Sequence, residues 1–422
     1  MKKIIEKFLK ISAGMVLKQQ KPEIIVVTGS VGKTQSKEAI YNVLAGKFIC
    51  RRNIKNYNNE LGVPLTILGE LSPGKFFFGW LKVFLKAVPL IILKKKNYPQ
   101  ILILEIAADK PADLKYIMEI FPRGLLRVAV LTAVAPVHIE FFGTIENIFK
   151  EKIIPFSYLA EDNFAVVNKD NCPLEKIKSK VPSQLISYGL FGEVADVSAE
   201  KIKIDKKGLE FKFRYKEDSF PFLLKEGISA YQIYPLLAGV SVGLCYRMDL
   251  REISQRLSQY KALAGRMRKI EGKKGSLILD DTYNSSPEAL KRALETLANL
   301  PFGKRKIAVL GDMLELGKFS ENFHREIGKL VASLQIDYLI TLGEEAEFIF
   351  EEAIKKGLSQ NNVFKFKDLK ELSDFLKKFL MREDVLLIKG SQGMRMEKIV
   401  KEIMANPEKA KSLLVRQDEE WL

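Results

Sequence analysis

The residues Thr28-Gly29-Ser30-Val31-Gly32-Lys33-Thr34 put two glycines, a lysine and a hydroxyl at a spacing that can hold phosphates. Glycines let backbone N–H groups close around phosphate oxygens, and a helix starting at such a loop adds a favourable dipole. Lys33 would neutralise the outer phosphates, and the Thr34 hydroxyl would reach a bound Mg²⁺. Val27 sits where the first glycine of G-x-x-x-x-G-K-[ST] belongs, so the form is the shorter T-G-x-x-G-K-T. The apolar run Ile24–Val27 before it reads as a buried strand, and Gln35–Leu44 after it as a helix. That context favours a phosphate loop, built from Gly29, Ser30, Gly32, Lys33 and Thr34, over a plain strand–turn–helix.

Other polar groups also stand at ends of apolar runs. Glu105 closes Ile101–Leu104 and is placed to hold Mg²⁺. His138, one of only two histidines, and Glu140 follow the run Val128–Thr132. On residue type alone Lys152 is an ordinary helix lysine. Asn58 and Asn59 lie in a stretch dense in amides and turn formers, which could simply cap the helix near Leu65. Asp280-Asp281-Thr282-Tyr283-Asn284-Ser285-Ser286-Pro287 follows Leu277–Leu279 and suits ribose, phosphate or substrate contacts. Ser285 or Ser286 could equally cap a helix beginning at Pro287.

The elements that must carry these groups read as α/β. Residues 1–22 form an amphipathic helix with Ile4, Ile5, Phe8, Leu9 and Ile11 on its apolar side. A P-loop region over 23–264 has strands at Ile101–Glu105, Val128–Thr132 and Phe164–Asn168 with helices between, which indicates a mainly parallel sheet. Residues 186–225 alternate in short segments around Lys206-Lys207-Gly208 and read as a small antiparallel region. A Rossmann-like α/β unit over 265–422 has strand candidates at Ser276–Asp280, Lys306–Leu310, Tyr338–Leu342 and Val385–Lys389.

The insert 70–99 contains an apolar stretch, 76–93, interrupted by Lys82 and Lys86 and followed by Lys94-Lys95-Lys96. Helical spacing puts Phe77, Trp80, Leu81, Phe84, Leu85 and Val88 on one face. Such a helix packs on its own domain or on a partner, or lies on an anionic membrane surface.

Composition bounds the rest. The chain has 422 residues, a net charge of +16 and 47% hydrophobic residues, enough for two or three domains with real cores. The lysines are scattered and no RNA-binding or zinc-finger signature accompanies them, so nucleic acid is not an expected partner. Cys50, Cys172 and Cys245 form no C-x-x-C pair, which fits a reducing cytoplasm.

Taken in order, these pieces resemble the Mur ligases, ATP-dependent amide-forming enzymes of peptidoglycan assembly. The resemblance covers nearly all of 23–400. It rests on T-G-S-V-G-K-T, N-Y-N-N-E-L-G-V-P-L-T, A-P-V-H-I-E-F-F-G, A-G-R-M, D-D-T-Y-N-S-S-P, G-D-M-L-E-L-G and K-G-S. It is closest to the member that joins D-alanyl-D-alanine to a muramoyl tripeptide. The resemblance implies ATP and Mg²⁺ as cofactors, with a muramoyl peptide and D-Ala-D-Ala as substrates. It implies that Lys33 and Thr34 hold ATP phosphates and Mg²⁺, and that Glu105 and His138 serve the metal sites. Lys152 matches a lysine that is carbamylated in the family. Asn284 would meet the adenine and Arg266 the nucleotide phosphate or ribose. Asp312, His324, Lys389 and Ser391, with Asn58 and Asn59, would serve the substrates. The implied reaction passes through an acyl phosphate, and domain closure would then exclude water.

Two departures stand out. The phosphate loop begins at Thr28, which leaves little room for the family's N-terminal UDP-sugar domain. The E-M-G-A-N-H-type stretch reads Glu105-Ile-Ala-Ala-Asp-Lys-Pro111. These point to a lipid-linked or trimmed acceptor and to peripheral membrane contact through 76–93. The chain is expected to be a monomer. The alternatives are a folylpolyglutamate-synthase-like enzyme, which adds an amino acid to another carboxylate, and an ATP-binding subunit that needs a partner.

Overall fold

The computed structural model describes residues 2–54, 57–74, 76–137, 139–190 and 195–417. The chain divides into two compact units. The first comprises 1–201, 211–222 and 233–260, and the second comprises 202–210, 223–232 and 261–422. Residues 202–210 and 223–232 therefore group with the second unit, although the sequence order places them before residue 264.

The first unit opens with helix α1 (Lys2–Gln20), strand β1 (Glu23–Thr28) and helix α2 (Lys33–Leu44), followed by β2 (Cys50–Arg52), α3 (Gly62–Leu68) and α4 (Phe77–Ile92). Then come β3 (Ile101–Glu105), α5 (Asp113–Met118), β4 (Leu126–Leu131), α6 (Ile139–Phe142), α7 (Ile145–Lys152), β5 (Phe164–Asn168) and β6 (Gln184–Gly189). Three further strands, β7 (Val197–Asp205), β8 (Gly208–Tyr215) and β9 (Asp218–Leu224), which include the residues 202–210 and 223–224 that group with the second unit, complete a sheet of order β2-β3-β1-β4-β5-β6-β7-β8-β9. Pairing is parallel from β2 to β7. Two-residue turns join β7 to β8 and β8 to β9, so these strands form the antiparallel end. The β6–β7 pair is parallel, which confines that end to β7–β9 and corrects the reading of all of 186–225 as antiparallel.

β1 lies between β3 and β4, and its residues from Ile24 to Thr28 are all buried. A parallel strand covered by helices on both faces has no solvent side, hence the unbroken run Ile-Ile-Val-Val. Central position and burial hold the loop after β1 at the carboxyl edge of the sheet, where α/β folds place ligands.

Helix α4 faces the protein differently from the sequence expectation. Trp80 is buried, with Nε1 donating to the Gly74 carbonyl at 3.1 Å, and Val83 and Ala87 are buried with it. Leu81, Leu85 and Val88 are exposed. The single face expected for Trp80, Leu81, Leu85 and Val88 is thus two faces, because packing chose the large indole for the core. Among the described residues no helix is long and apolar enough to cross a membrane.

The second unit carries β10 (Arg268–Glu271), β11 (Leu277–Asp280), β12 (Arg305–Gly311), β13 (Tyr338–Leu342), β14 (Val363–Phe366) and β15 (Asp384–Lys389), in the order β10-β11-β15-β12-β13-β14. β10 is antiparallel to β11 and the other pairings are parallel. Side chains alternate between two layers. Ile307 and Val309 pack with Ile340, Leu386 and Ile388, whereas Ala308 and Leu310 pack with Leu294, Leu297 and Leu339.

Candidate active site

The loop between β1 and α2 is held by the end of β4. The Ser30 amide donates to the Ala133 carbonyl at 2.8 Å. The Ser30 hydroxyl donates to the Ala135 carbonyl and accepts from the Ala135 amide, both at 3.0 Å. Thr132 Oγ1 donates to the Val31 carbonyl at 2.6 Å. Both loop glycines have positive φ, 139° at Gly29 and 82° at Gly32. At Gly29 a Cβ would lie 2.2 Å from Thr132 Oγ1 and 2.9 Å from the Ala133 nitrogen, so glycine is required there. Lys33 Nζ lies over the loop, donating to the carbonyls of Gly29 at 2.8 Å and Ser30 at 3.3 Å.

Around the loop is a polar cluster. Thr34 Oγ1 donates to Glu105 Oε1 at 3.2 Å, and Asn58 Nδ2 donates to the same oxygen at 3.1 Å. Glu105 is 3% exposed. Two residues the sequence reading missed support it. Lys37, one turn beyond Lys33 and buried, sits 3.6 Å from Glu105 Oε2 and donates to the Asn53 carbonyl at 2.7 Å. Asn53 pairs with the Glu105 backbone in both directions, accepting from its amide at 2.9 Å and donating to its carbonyl at 2.7 Å. The i, i+4 spacing of Lys33 and Lys37 was the available signal for Lys37. Asn59 behaves differently from Asn58. It is exposed, and its side-chain oxygen accepts from the Leu61 and Gly62 amides leading into α3.

Lys152, the last residue of α7, is 2% exposed and donates to the Ala108 carbonyl at 3.2 Å. Burial, with the Lys33 charge adding to it, pushes its amine down to about 7, against the opposing pull of Glu151, Asp109 and Asp113. Glu151 was also missed. Its buried carboxylate accepts from the Ala112 amide at 3.0 Å and the Leu114 amide at 2.9 Å, locking α7 to the start of α5. His138 lies outside the described residues.

A magnesium ion and ATP are implied by this loop. The donor set fits a hard cation: a hydroxyl (Thr34), a carboxylate (Glu105) and an amide (Asn58) converge within hydrogen-bonding distance at the phosphate loop.

The second unit places its candidates at the carboxyl ends of β11, β12 and β15. Lys389 Nζ is 2.7 Å from Asp281 Oδ2 and donates to the Asn284 carbonyl at 2.8 Å. Ser391 Oγ accepts from the Leu314 amide at 2.8 Å and donates to the Ser285 carbonyl at 3.3 Å. Asp312 Oδ1 accepts from the Ala346 amide at 2.7 Å, and burial raises its carboxyl. Asp280 is fully buried, which pushes it up to about 6 against hydrogen bonds from Thr282 and Gly265. His324 is fully buried; Nε2 accepts from the Met313 amide at 3.0 Å and Nδ1 faces the Ser320 carbonyl at 2.8 Å. Both ring nitrogens of His324 thus meet the backbone and hold the turn between Met313 and Ser320. The accessible groups are Asn284, which is exposed, and Arg266, whose guanidinium stacks 3.9 Å from the Tyr283 ring centroid.

The family model for the Mur ligase middle domain matches residues 87–242, and that for the Mur ligase, glutamate ligase domain, matches 265–392. A protein from Synechocystis named UDP-N-acetylmuramoyl-tripeptide--D-alanyl-D-alanine ligase is 30% identical over 388 residues, 91% of this chain and 75% of that one. The chain belongs to the Mur ligase family. A Bacillus subtilis protein of the same name is 28% identical over 91% of this chain and 76% of its own length. Among solved structures, MurF ligase from Thermotoga maritima in complex with ADP aligns at TM-score 0.75 with 27% identity, over 96% of this chain and 84% of that one. MurF from Acinetobacter baumannii aligns at TM-score 0.76 with 22% identity, over 93% and 79%, a likeness of fold. This Mur ligase is an ATP-dependent enzyme.

Proposed function

We propose that this Mur ligase uses ATP to join D-alanyl-D-alanine to the terminal carboxylate of a muramoyl tripeptide. The observation that carries the reading is the stapled phosphate loop, with Lys33, Thr34 and Glu105 gathered beside it in a chain similar to ligases of that name. The substrate carboxylate attacks the γ-phosphorus, ADP leaves, and an acyl phosphate results. The amine of D-Ala-D-Ala then attacks the acyl carbon, forming the C–N bond and releasing phosphate and a proton. Lys33 lies where it can leave its loop carbonyls for the phosphates and offset their charge. Thr34 and Glu105, with His138 and Lys152 as further metal-site residues, would hold Mg²⁺, which supplies charge neutralisation at the phosphates.

Lys152 has the character of an amine that takes up CO₂: neutral near pH 7 and buried. Attack on CO₂ forms an N–C bond, releases one proton and turns a potential cation into a carboxylate anion. Asn284 and Arg266 are the proposed nucleotide contacts. Lys389, Asp312, Ser391 and His324 shape the loops around them. For location and assembly we propose a cytoplasmic monomer with a peripheral contact to the inner membrane face through 76–93.

The test is isotope transfer. With ¹⁸O in the tripeptide carboxylate, the acyl-phosphate route delivers one ¹⁸O into released phosphate for each amide formed. Amide formation with unlabelled phosphate, or no ligation of D-Ala-D-Ala, counts against the proposal.

A further inference from the structure

Helices α1 and α4 expose apolar surface that the ligase reading does not use. On α1, Ile4, Phe8, Ile11 and Met15 recur at helical spacing and are all exposed. The stripe Phe78, Leu81, Leu85, Val88 and Ile92 does the same on α4. The opposite sides of both helices are filled as well, with Leu9, Ala13 and Val16 on α1 and Trp80, Val83 and Ala87 on α4 buried in the same core. A surface helix normally turns polar residues outward; these two are apolar both inward and outward.

The two helices are fastened into one unit. The rings of Phe8 and Phe84 meet edge to face at 5.9 Å. Gln20 donates to the carbonyls of Leu90 and Leu93 and accepts from the Lys95 amide at 2.9 Å, while Gln19 donates to the Ile92 carbonyl at 3.1 Å. These bonds satisfy carbonyls at the α4 carboxyl end, where a helix has no internal donors left.

Charge selects the occupant. Lys3, Lys7 and Lys18 are exposed on α1 and Lys82 on α4, Lys94–Lys96 follow directly, and Lys86 is paired with Glu70 at 2.8 Å. From Phe76 to Lys96 the sequence has no acid, and α1 has only Glu6. An isologous contact with a second copy would set these lysines against each other. At 16 residues α4 is roughly 24 Å long, short of the roughly 30 Å hydrocarbon core, so it lies along a bilayer rather than across it.

We infer that α1 and α4 together form a docking platform for an anionic lipid surface. The two apolar stripes enter the headgroup boundary, and the lysines beside them pair with lipid phosphates. The inference rests on the peripheral contact proposed for 76–93 and deepens it, adding α1, assigning the lipid-facing residues and turning Trp80 inward.

Flotation of the full chain with vesicles tests it. Phosphatidylglycerol-rich vesicles should carry the protein up, and pure phosphatidylcholine vesicles should not. Leu81→Glu/Leu85→Glu and, separately, Ile4→Glu/Ile11→Glu should each cut the bound fraction about tenfold or more, with thermal melting unchanged. No flotation of the wild type overturns both the contact and the platform. Loss in the α4 variant without loss in the α1 variant leaves a one-helix contact and overturns the platform. A dimer that dissociates in either variant, without vesicle binding, assigns the surface to a second copy. ATP-dependent ligation in lipid-free solution is the independent readout of the ligase reading.

Discussion

Lys152 and Lys389 are both 2% exposed, one in each unit, and their surroundings treat them in opposite ways. Lys389 has a carboxylate at 2.7 Å, Asp281, and a carbonyl at 2.8 Å. Lys152 has the Ala108 carbonyl at 3.2 Å and a neighbouring lysine charge, with burial outweighing the acids in its vicinity. A buried amine with a close counter-ion is a brace. A buried amine whose burial is not offset becomes neutral and nucleophilic near physiological pH. The unpaired burial supports the catalytic part proposed for Lys152, whereas Lys389 is braced by Asp281.

The largest effect that separates them is on turnover. Lys152→Met should lower kcat about 100-fold or more, since it removes the amine proposed to become an anion near the phosphates. Its melting temperature should rise by a few degrees, because a buried amine is replaced by an apolar chain of similar length. A fall in both would make Lys152 a brace like Lys389.

Lys389→Met should do the reverse, costing about 3–5 kcal/mol of stability in urea unfolding because it strands Asp281 in a buried site. Adding Asp281→Leu should restore much of that loss. A stable single variant would remove the contrast.

Much of this contrast was outside the sequence. The loop Thr28–Thr34, the strand Ile101–Glu105 and most second-unit strands were legible because buried parallel strands are unbroken apolar runs ended by glycines or acids. The short strands β2, β10 and β14 were not, since Cys50-Arg-Arg, Arg268-Lys-Ile-Glu and Val363-Phe-Lys-Phe hold no unbroken apolar run. Lys37, Asn53 and Glu151 escaped because their role comes from tertiary partners, with nothing in their local spacing except the turn between Lys33 and Lys37. Trp80 was grouped with Leu81, Leu85 and Val88 on one face because periodicity identifies an apolar arc but cannot say where the core's share of it ends. The Met313 backbone and Asp281, which hold His324 and Lys389, come from tertiary packing and leave no trace in local spacing.

A smaller, pH-dependent effect follows from Lys152. Its folded value near 7 lies below the unfolded 10.5, so between these pH values the unfolded chain binds the extra proton. The Lys152 contribution to stability therefore rises with pH from about 7 to about 10.5, and the melting advantage of Lys152→Met should shrink over that window. An advantage independent of pH would mean that the amine is charged in the fold. The smallest expected effect is that of Glu151→Gln. It weakens two amide contacts by about 1–2 kcal/mol and, by removing an acid, makes Lys152 still easier to deprotonate. Cyanate labelling of Lys152 should then become faster, and slower labelling would contradict the assigned direction.

Phosphate release is the most direct test of the whole account. With ATP, Mg²⁺, a muramoyl tripeptide and D-Ala-D-Ala, the protein should release phosphate in step with amide formed. Release should stop when either organic substrate is left out or when Lys33 is replaced by alanine. Phosphate release that needs neither substrate, or survives Lys33→Ala unchanged, would contradict an ATP-driven ligase working from the Thr28–Thr34 loop.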